Sequence, residues 1–167
     1  MSSHLPSPLA KPAGEPLAVN VKVDGNLNSF ELTGQAGADN HFNSRWLLGQ
    51  KLTLDRAIWA ADSKTLPPLP EQSGVELNMP PMNGAEWLAL FQKGAAESVG
   101  GAASFPQHIT LRTPMLSLGN QQWNNLSIVS QPTANGTLVE AQGREINATL
   151  AMRNNAPWLA NIKYLYY

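Results

Sequence analysis

The chain has 167 residues, with 11 Lys and Arg against 12 Asp and Glu and a formal net charge of −1. It is long enough for one sizeable core or for a short segment of a repeating array, and it lacks the basic excess of an electrostatic nucleic-acid binder. Charged residues make up 14% of the chain and hydrophobic residues 43%, a balance that favours β structure with a neutral polar face. The absence of cysteine excludes disulfides and thiolate chemistry, and no apolar run reaches the roughly eighteen residues of a membrane-spanning helix.

The two ends of the chain differ in character. Four prolines lie within residues 5–16, and proline lacks an N–H and restricts the residue before it. We therefore expect residues 1–16 to form an extended connector and residues 17–167 to form the folded segment. Residues 158–167 stay apolar and aromatic to the end, whereas domain ends are usually polar and frayed, so we expect a C-terminal truncation.

The first pattern in the folded segment is an alternation with a period of two, typical of a strand that buries one face. Three valines occupy alternate positions from Val19 to Val23, and Phe30 and Leu32 continue the pattern. The residues Asp-Gly-Asn at 24–26 favour a hairpin turn between the two stretches. We therefore predict that the first two strands pair antiparallel.

The same alternation recurs along the rest of the chain, and helical periodicity is nearly absent. The connections carry Gly, Asn or Pro, which favour turns. The sequence therefore predicts a mostly β fold, a curled antiparallel meander of about ten strands. The later strands are expected at residues 42–48, 51–60, 74–79, 108–113, 123–130, 137–141, 145–152 and 159–166.

One short α-helix is predicted to interrupt the meander at residues 83–93. Asn83 is suited to cap its N-terminus, Glu86 stands at the capping-box position, and Gly94 is a natural stop. Its apolar stripe is expected to pack against the sheet or to close one mouth of it. Residues 94–104 are almost all small and are predicted to form a mobile loop.

Two parts of the sequence are weakly similar to each other. Glu-Leu-Thr-Gly at 31–34 followed by 42–47 resembles Glu-Ala-Gln-Gly at 140–143 followed by 146–151. Shared strand composition and true repetition both account for the similarity. Repetition would indicate an array of stacked hairpins.

No set of residues has the spacing of a catalytic or metal site. His4, His41 and His108 lack partners at useful spacing and are expected to be exposed. Glu140 and Glu145 flank a turn, where acidic residues are far more often surface charge than a glycosidase pair. No nucleotide-binding or nucleophile-elbow motif is present. We therefore predict a protein that is not an enzyme and needs no metal ion or cofactor.

The apolar side chains on one face of the predicted sheet need to be covered by another part of the protein or by a ligand. A ten-residue helix is about 15 Å long, whereas ten strands at about 4.8 Å spacing extend over roughly 48 Å. One helix therefore leaves most of the sheet uncovered. Either the sheet closes into a sandwich or barrel, or it curls into a trough whose apolar floor stays open, which soluble proteins rarely allow without a ligand. An acyl chain fits such a floor.

Several stretches of the sequence point to a known family. They are Leu-Ser-Leu-Gly at 116–119, Gln-Trp-Asn-Asn-Leu-Ser-Ile at 122–128 and the run at 136–150. These closely resemble the YhdP family of AsmA-like proteins of Gram-negative bacteria. Asn-Gly-Ala-Glu-Trp-Leu at 83–88 is similar to an Asp/Asn-Gly-x-x-Trp-Leu element of such proteins. The resemblance extends over nearly the whole chain, as an internal segment of a much larger protein.

The resemblance implies an elongated, taco-like β-groove without catalytic residues. It also implies a periplasmic location, with a tether to the inner membrane outside this segment, and transport of phospholipid towards the outer membrane. The partners it implies are phospholipid acyl chains, neighbouring groove segments of the same longer chain, and both membranes through other regions.

We therefore predict a segment of an open hydrophobic groove that conveys phospholipid between the inner and outer membranes. The alternative is a closed β-sandwich or jelly-roll module for glycan or another ligand, with the tryptophans as an exposed platform. The face that strand 123–130 turns into the groove is left open by the sequence. The residues predicted to line the groove are Val19, Val21, Val23, Phe30, Leu32, Leu52, Leu54, Ile58, Val75, Leu77, Ile109, Leu111, Leu126, Ile128, Leu138, Ile146 and Leu150.

Overall fold

The computed structural model describes residues 18–86, 103–104 and 106–166. These residues form a single sheet of twelve strands, which confirms the mostly β fold. The strands are β1 (Val19–Gly25), β2 (Ser29–Ala36), β3 (Asn40–Leu48), β4 (Leu52–Ala60), β5 (Gly74–Asn78), β6 (Met82–Asn83), β7 (Ala103–Ser104), β8 (Ile109–Leu118), β9 (Gln121–Thr133), β10 (Gly136–Gln142), β11 (Ile146–Arg153) and β12 (Leu159–Leu165).

The sheet is open. Its strands follow the order β1-β2-β3-β4-β5-β8-β9-β10-β11-β12, and the two short strands β6 and β7 pair with β8 and β4. Among the described residues, β1 pairs only with β2 and β12 only with β11, so neither end strand closes the sheet upon itself. The open curled meander of the sequence prediction is consistent with this arrangement.

The centre of the sheet departs from the predicted antiparallel pairing. Strands β4, β5 and β8 run parallel, whereas the outer strands pair antiparallel. Antiparallel neighbours can be joined by tight turns, but parallel neighbours need a crossover of about a dozen residues. Residues 61–73 and 79–108 provide the two crossovers.

The first hairpin confirms the predicted antiparallel pair, with its turn slightly later than expected. Gly25 still pairs with Phe30, so the turn is formed by residues 26–28. The Oδ1 of Asn26 accepts the backbone N–H groups of Asn28 and Ser29 at 2.8 and 3.1 Å. This side chain therefore replaces backbone partners in the turn.

Two irregularities interrupt the ladders. The register shifts between Arg45 and Trp46 where β3 meets β4, and between Asn147 and Ala148 where β11 meets β12. An extra residue in one strand bends that strand and increases its local twist. The shifts lie on either side of the parallel centre, so both outer parts of the sheet carry a bend.

The first crossover, residues 61–73, lies across one face of the sheet, and we call it the strap. His41 Nδ1 is 2.8 Å from the Ser63 carbonyl oxygen, and Asn43 Nδ2 donates to the Pro67 carbonyl at 3.2 Å. Arg56 Nη1 donates to the carbonyls of residues 70 and 71 at 3.2 and 3.0 Å. His41 is therefore buried, contrary to the expected exposure, because the strap covers it.

The packed core is small. Ala61, Met79 and Met82 form a buried cluster, and no side chain among the described residues is completely buried. Partly buried neighbours of this cluster are Trp59, Leu77, Leu111 and Leu116. A closed sandwich would seal the apolar faces of two sheets against each other, which the described sheet does not do.

Some predicted elements lie wholly or partly outside the described residues. The connector 1–16 is one of them, and so is His4. Residues 84–86 are helical, at the start of the predicted helix 83–93, and the remainder of that helix lies outside the described part. Of the predicted loop 94–104, the described residues 103–104 form β7 beside the start of β4.

Candidate functional site

The pairing register divides the side chains of the sheet between two faces, because directly opposed residues on neighbouring strands share a face. One continuous row can be followed from β1 to β12 across ten strands, and it contains no polar side chain. We call it the apolar row, and the face that carries it the apolar face. The apolar row consists of Val21, Gly34, Phe42, Trp59, Leu77, Leu111, Ile128, Ala141, Ala148 and Ile162.

The neighbouring row on the apolar face is nearly as apolar. It is interrupted by two serines, Ser44 and Ser130, and the Ser44 hydroxyl donates to the Leu32 carbonyl at 3.1 Å. That hydroxyl is satisfied by the backbone and adds little polarity to the face. The row consists of Val23, Leu32, Ser44, Ala57, Val75, Ile109, Ser130, Val139, Leu150 and Ala160.

The opposite face, which we call the polar face, has a different composition. Four ion pairs lie on this side of the sheet, between Lys22 and Asp24, Arg45 and Glu31, Arg56 and Asp55, and Arg112 and Glu76. The strap covers its centre. A row across the polar face contains Lys22, Thr33, Asn43, Ile58, Glu76, Thr110, Val129, Glu140, Thr149 and Asn161.

The register assigns the predicted lining residues to faces. Strand β9, whose orientation the sequence left open, places Leu126 and Ile128 on the apolar face. Lipid contact by any of these residues stays a prediction. The residues on the apolar face are Val19, Val21, Val23, Phe30, Leu32, Leu52, Leu54, Val75, Leu77, Ile109, Leu111, Leu126, Ile128, Ile146 and Leu150.

The predicted placement of Ile58 beside Leu54 is wrong. Trp46 pairs with Leu54, but Arg45 pairs with Arg56, so Asp55 is an extra residue in β4. This bulge reverses the phase of alternation, and Ile58 lies on the polar face. The side chain is 6% exposed there, beneath the strap.

The predicted placement of Leu138 is also wrong. Leu138 pairs with Gln131 and Ala151, whereas Val139 pairs with Ser130 and Leu150 of the apolar face. Leu138 therefore lies on the polar face. Two adjacent apolar residues give no phase by themselves, so the sequence could not choose between them.

Two aromatic residues of β3, Phe42 and Trp46, lie on the apolar face but were not among the predicted lining residues. Trp46 stacks on Phe30 with ring centroids 6.3 Å apart and an angle of 8° between the ring planes. The Phe42 ring lies over Gly34, where an added Cβ would collide with it. Both aromatic residues are in phase with the period-two alternation of β3, and this was the signal in the sequence for their position.

The apolar face is least covered towards its two ends. Val21 is 53% exposed on β1 and Ile162 is 57% exposed on β12. Between them, the cluster of Ala61, Met79 and Met82 covers part of the central strands. Among the described residues, the face is thus an extended apolar floor and not an enclosed cavity.

One titratable group, Glu145, makes a structural contact between β9 and a nearby turn of the sheet. The Glu145 carboxylate accepts the Asn124 backbone N–H at 2.6 Å and the Asn124 side-chain amide at 2.9 Å. These hydrogen bonds, with the backbone contact first, hold the pKa of Glu145 below its usual value. The carboxylate joins β9 to the turn at 143–145. In residues 18–86, 103–104 and 106–166, no group of three or more His, Asp or Glu side chains could hold a metal ion.

No helix in the described part of the chain has the length and hydropathy needed to span a membrane.

Comparisons with known proteins cover the whole chain. The model of a family described as YhdP protein matches residues 1–167. The chain is 99% identical over 167 residues to the intermembrane phospholipid transporter YhdP of Escherichia coli (strain K12), and it spans 13% of that protein's length. No solved structure matches the chain.

Proposed function

Because this chain belongs to the YhdP family, we propose that its apolar face is one segment of a hydrophobic groove that conveys phospholipid between the inner and outer membranes. The observation that carries this proposal is the apolar row, which crosses ten strands without a polar side chain. Nine inter-strand spacings of about 4.8 Å make the row roughly 43 Å long. The near-identical relative is named as an intermembrane phospholipid transporter, which agrees with this role.

The energetics of lipid transfer favour a floor of this kind. Transfer of an acyl chain from a bilayer to water costs about 0.8 kcal/mol of free energy per CH₂, or roughly 12 kcal/mol for a sixteen-carbon chain. A continuous apolar floor offsets much of that cost at every step. Uniform aliphatic side chains also avoid a deep local minimum, in which the lipid would be trapped. The proposal therefore involves binding and passage without a catalytic step.

The partners beyond the lipid are proposed from the edges of the sheet. Strands β1 and β12 each have one unpaired edge among the described residues, and unpaired edges favour strand addition. Neighbouring groove segments of a longer chain would pair there and extend the floor in both directions. We place the segment in the periplasm, tethered to the inner membrane by a region outside it and reaching both membranes through other regions.

A closed sandwich or jelly-roll module for glycan is not favoured. That alternative needs a second sheet to seal the apolar face and exposed tryptophans as a platform. Trp46 and Trp59 lie instead within the apolar face, paired in register with aliphatic or aromatic residues.

Site-specific photo-crosslinking in the full-length protein tests the proposal. A photo-reactive residue at Ala141 or Leu150 of the apolar face is expected to form phospholipid adducts that mass spectrometry identifies. The neighbouring positions Glu140 and Thr149 are matched controls, because they are half-buried in the same strands but lie on the polar face. Equal adducts on both faces, or no adduct on the apolar face, would contradict the proposal.

A further inference from the structure

The strand ends form two rims along the sheet, and their chemistry differs. One rim consists of the turns at 26–28, 49–51 and 134–135 together with residues 153–155, and we call it the amide rim. The register places these turns at the same end of the strands. Its exposed amide side chains are Asn26, Asn28, Gln50, Asn135, Asn154 and Asn155.

Two cations accompany the amides. Lys51 and Arg153 are exposed on the amide rim, and neither forms an ion pair with another described residue. Carboxylates also lie at this end: Glu71, in the strap on the polar face, and the exposed Asp24, which pairs with Lys22 at 4.0 Å near the end of β1. Amide N–H groups and free cations are the side-chain donors that bind phosphate oxygens.

The opposite rim, the carboxylate rim, is formed by the turns at 37–39, 61–63, 119–120 and 143–145. It carries Asp39, Asp62 and Glu145, together with the exposed residues Asn120, Arg144 and, in the strap, Lys64. Ionised carboxylates are acceptors only and repel a phosphate.

The apolar floor is also covered unequally between the rims. Ala61 directly follows β4, and Met79 directly follows β5, so the buried cluster that they form with Met82 lies towards the carboxylate rim. A part of the groove that is covered by apolar side chains binds acyl chains in preference to hydrated polar groups. At the amide rim, the described turns instead offer mainly polar side chains to water, although Leu27 in the first turn is also 93% exposed.

We propose that the amide rim faces the phosphate-bearing headgroups of phospholipids in the groove, with their acyl chains extending towards the carboxylate rim. This inference rests on the proposed function and adds the orientation of the lipid to it. The amides and the two cations are spread over four turns, so each headgroup meets weak contacts in succession. Such contacts guide the headgroup along the rim and let it move on.

Two photo-reactive phospholipids test this orientation on the purified full-length protein. Both are presented in vesicles of phosphatidylethanolamine and phosphatidylglycerol. One carries a diazirine on its headgroup and the other at the end of an acyl chain. We expect the headgroup probe to label peptides of the amide rim, and the acyl probe to label the apolar face and the cluster of Met79 and Met82.

The outcomes separate the orientation from the groove itself. Acyl labelling of the apolar face with headgroup labelling of the carboxylate rim, or of both rims equally, would overturn the orientation and leave the groove intact. Absence of acyl labelling from the apolar face would remove the proposed function and this inference together. Excess inorganic phosphate is expected to leave headgroup labelling unchanged; its loss in phosphate would indicate a site for free anions and overturn the inference.

Charge-reversal variants provide a second readout. Lys51→Glu and Arg153→Glu are expected to lower headgroup labelling of the amide rim roughly threefold, in keeping with the modest strength of exposed charge contacts. Lys64→Glu and Arg144→Glu, exposed cations nearer the carboxylate rim, are matched controls that should leave it unchanged. Equal losses in all four variants, or no loss in the first two, would overturn the assignment of the amide rim.

Discussion

A charge placed on the apolar face should block lipid passage, and β10 offers a matched pair of positions for this test. Val139 and Leu138 are adjacent, half-buried and aliphatic, but they lie on opposite faces of the sheet. Val139→Asp puts a carboxylate between Ser130 and Leu150 on the apolar face. Leu138→Asp puts the same carboxylate on the polar face.

The expected magnitude follows from the contacts that an acyl chain would lose. A hydrated carboxylate at position 139 keeps two or three CH₂ groups of a passing chain from the floor, at about 0.8 kcal/mol each. The resulting barrier of about 2 kcal/mol corresponds to a roughly 30-fold slower passage, since about 1.4 kcal/mol is a factor of ten. Leu138→Asp adds no such barrier.

The assay is the transfer of radiolabelled phospholipid from the inner-membrane to the outer-membrane fraction in cells that depend on the full-length variant. Thermal unfolding of each purified variant checks that both proteins fold. Transfer at the unsubstituted rate by a folded Val139→Asp variant, or equal loss in both variants, would refute the assignment of faces and the role of a continuous floor.

Three further predictions concern stability and can be read by denaturant or thermal unfolding. Gly34→Val should destabilise the protein by about 1–3 kcal/mol because its side chain would collide with the Phe42 ring. Gly49→Ala should be nearly neutral, because its Cβ would meet the Lys51 carbonyl oxygen at an ordinary contact distance of 3.9 Å. Arg56→Ala should cost about 1–3 kcal/mol because it leaves two strap carbonyls without their donor. Glu145→Gln should make stability depend less steeply on pH in the acid range. The pKa of Glu145 in the folded protein lies below the unfolded value of 4.5. Its carboxylate therefore stabilises the fold above pH 4.5, and this stabilisation is lost as the pH falls through the folded pKa.

Each of these predictions has an outcome that contradicts it. Equal stability of Gly34→Val and the unsubstituted protein would mean that the Phe42 ring does not lie over residue 34. An unchanged midpoint for Arg56→Ala would mean that the strap is held without this side chain. An acid limb that is the same with Glu145→Gln would show that the contacts to Asn124 add nothing to folding.

The positions of the strands could be predicted well from the sequence, but the face of the sheet on which each residue lies could be predicted less well. Alternation depends on the burial of one face, which is a local property, so nearly every long strand could be located from its own residues. In β4 the predicted faces are wrong after Asp55, because the bulge at this residue shifts the alternation by one position and leaves no clear signal in the sequence. The adjacent residues Leu138 and Val139 fit either phase, and only pairing with β9 and β11 decides between them.

Features that depend on distant parts of the chain could not be predicted. Alternation does not encode strand direction, so the parallel pairing of β4, β5 and β8 is visible only once the crossovers are seen. The burial of His41 likewise depends on the strap, more than twenty residues away in sequence. The two rims require the strand order as well, because their turns are scattered along the chain.

The parallel centre has a consequence for how such segments can be joined. In an all-antiparallel sheet the strand direction reverses from each strand to the next. The two parallel pairs, β4 with β5 and β5 with β8, each leave out one such reversal. Because two reversals are missing, the first and last strands keep the relative direction that they would have in an all-antiparallel sheet. Strands β1 and β12 consequently point in opposite directions, as the first and last members of any even-numbered zigzag do. A second copy of this sheet could therefore place its β1 beside β12 of the first copy with ordinary antiparallel hydrogen bonding, and the apolar faces of the two copies would be continuous. The parallel centre thus does not prevent such sheets from joining edge to edge.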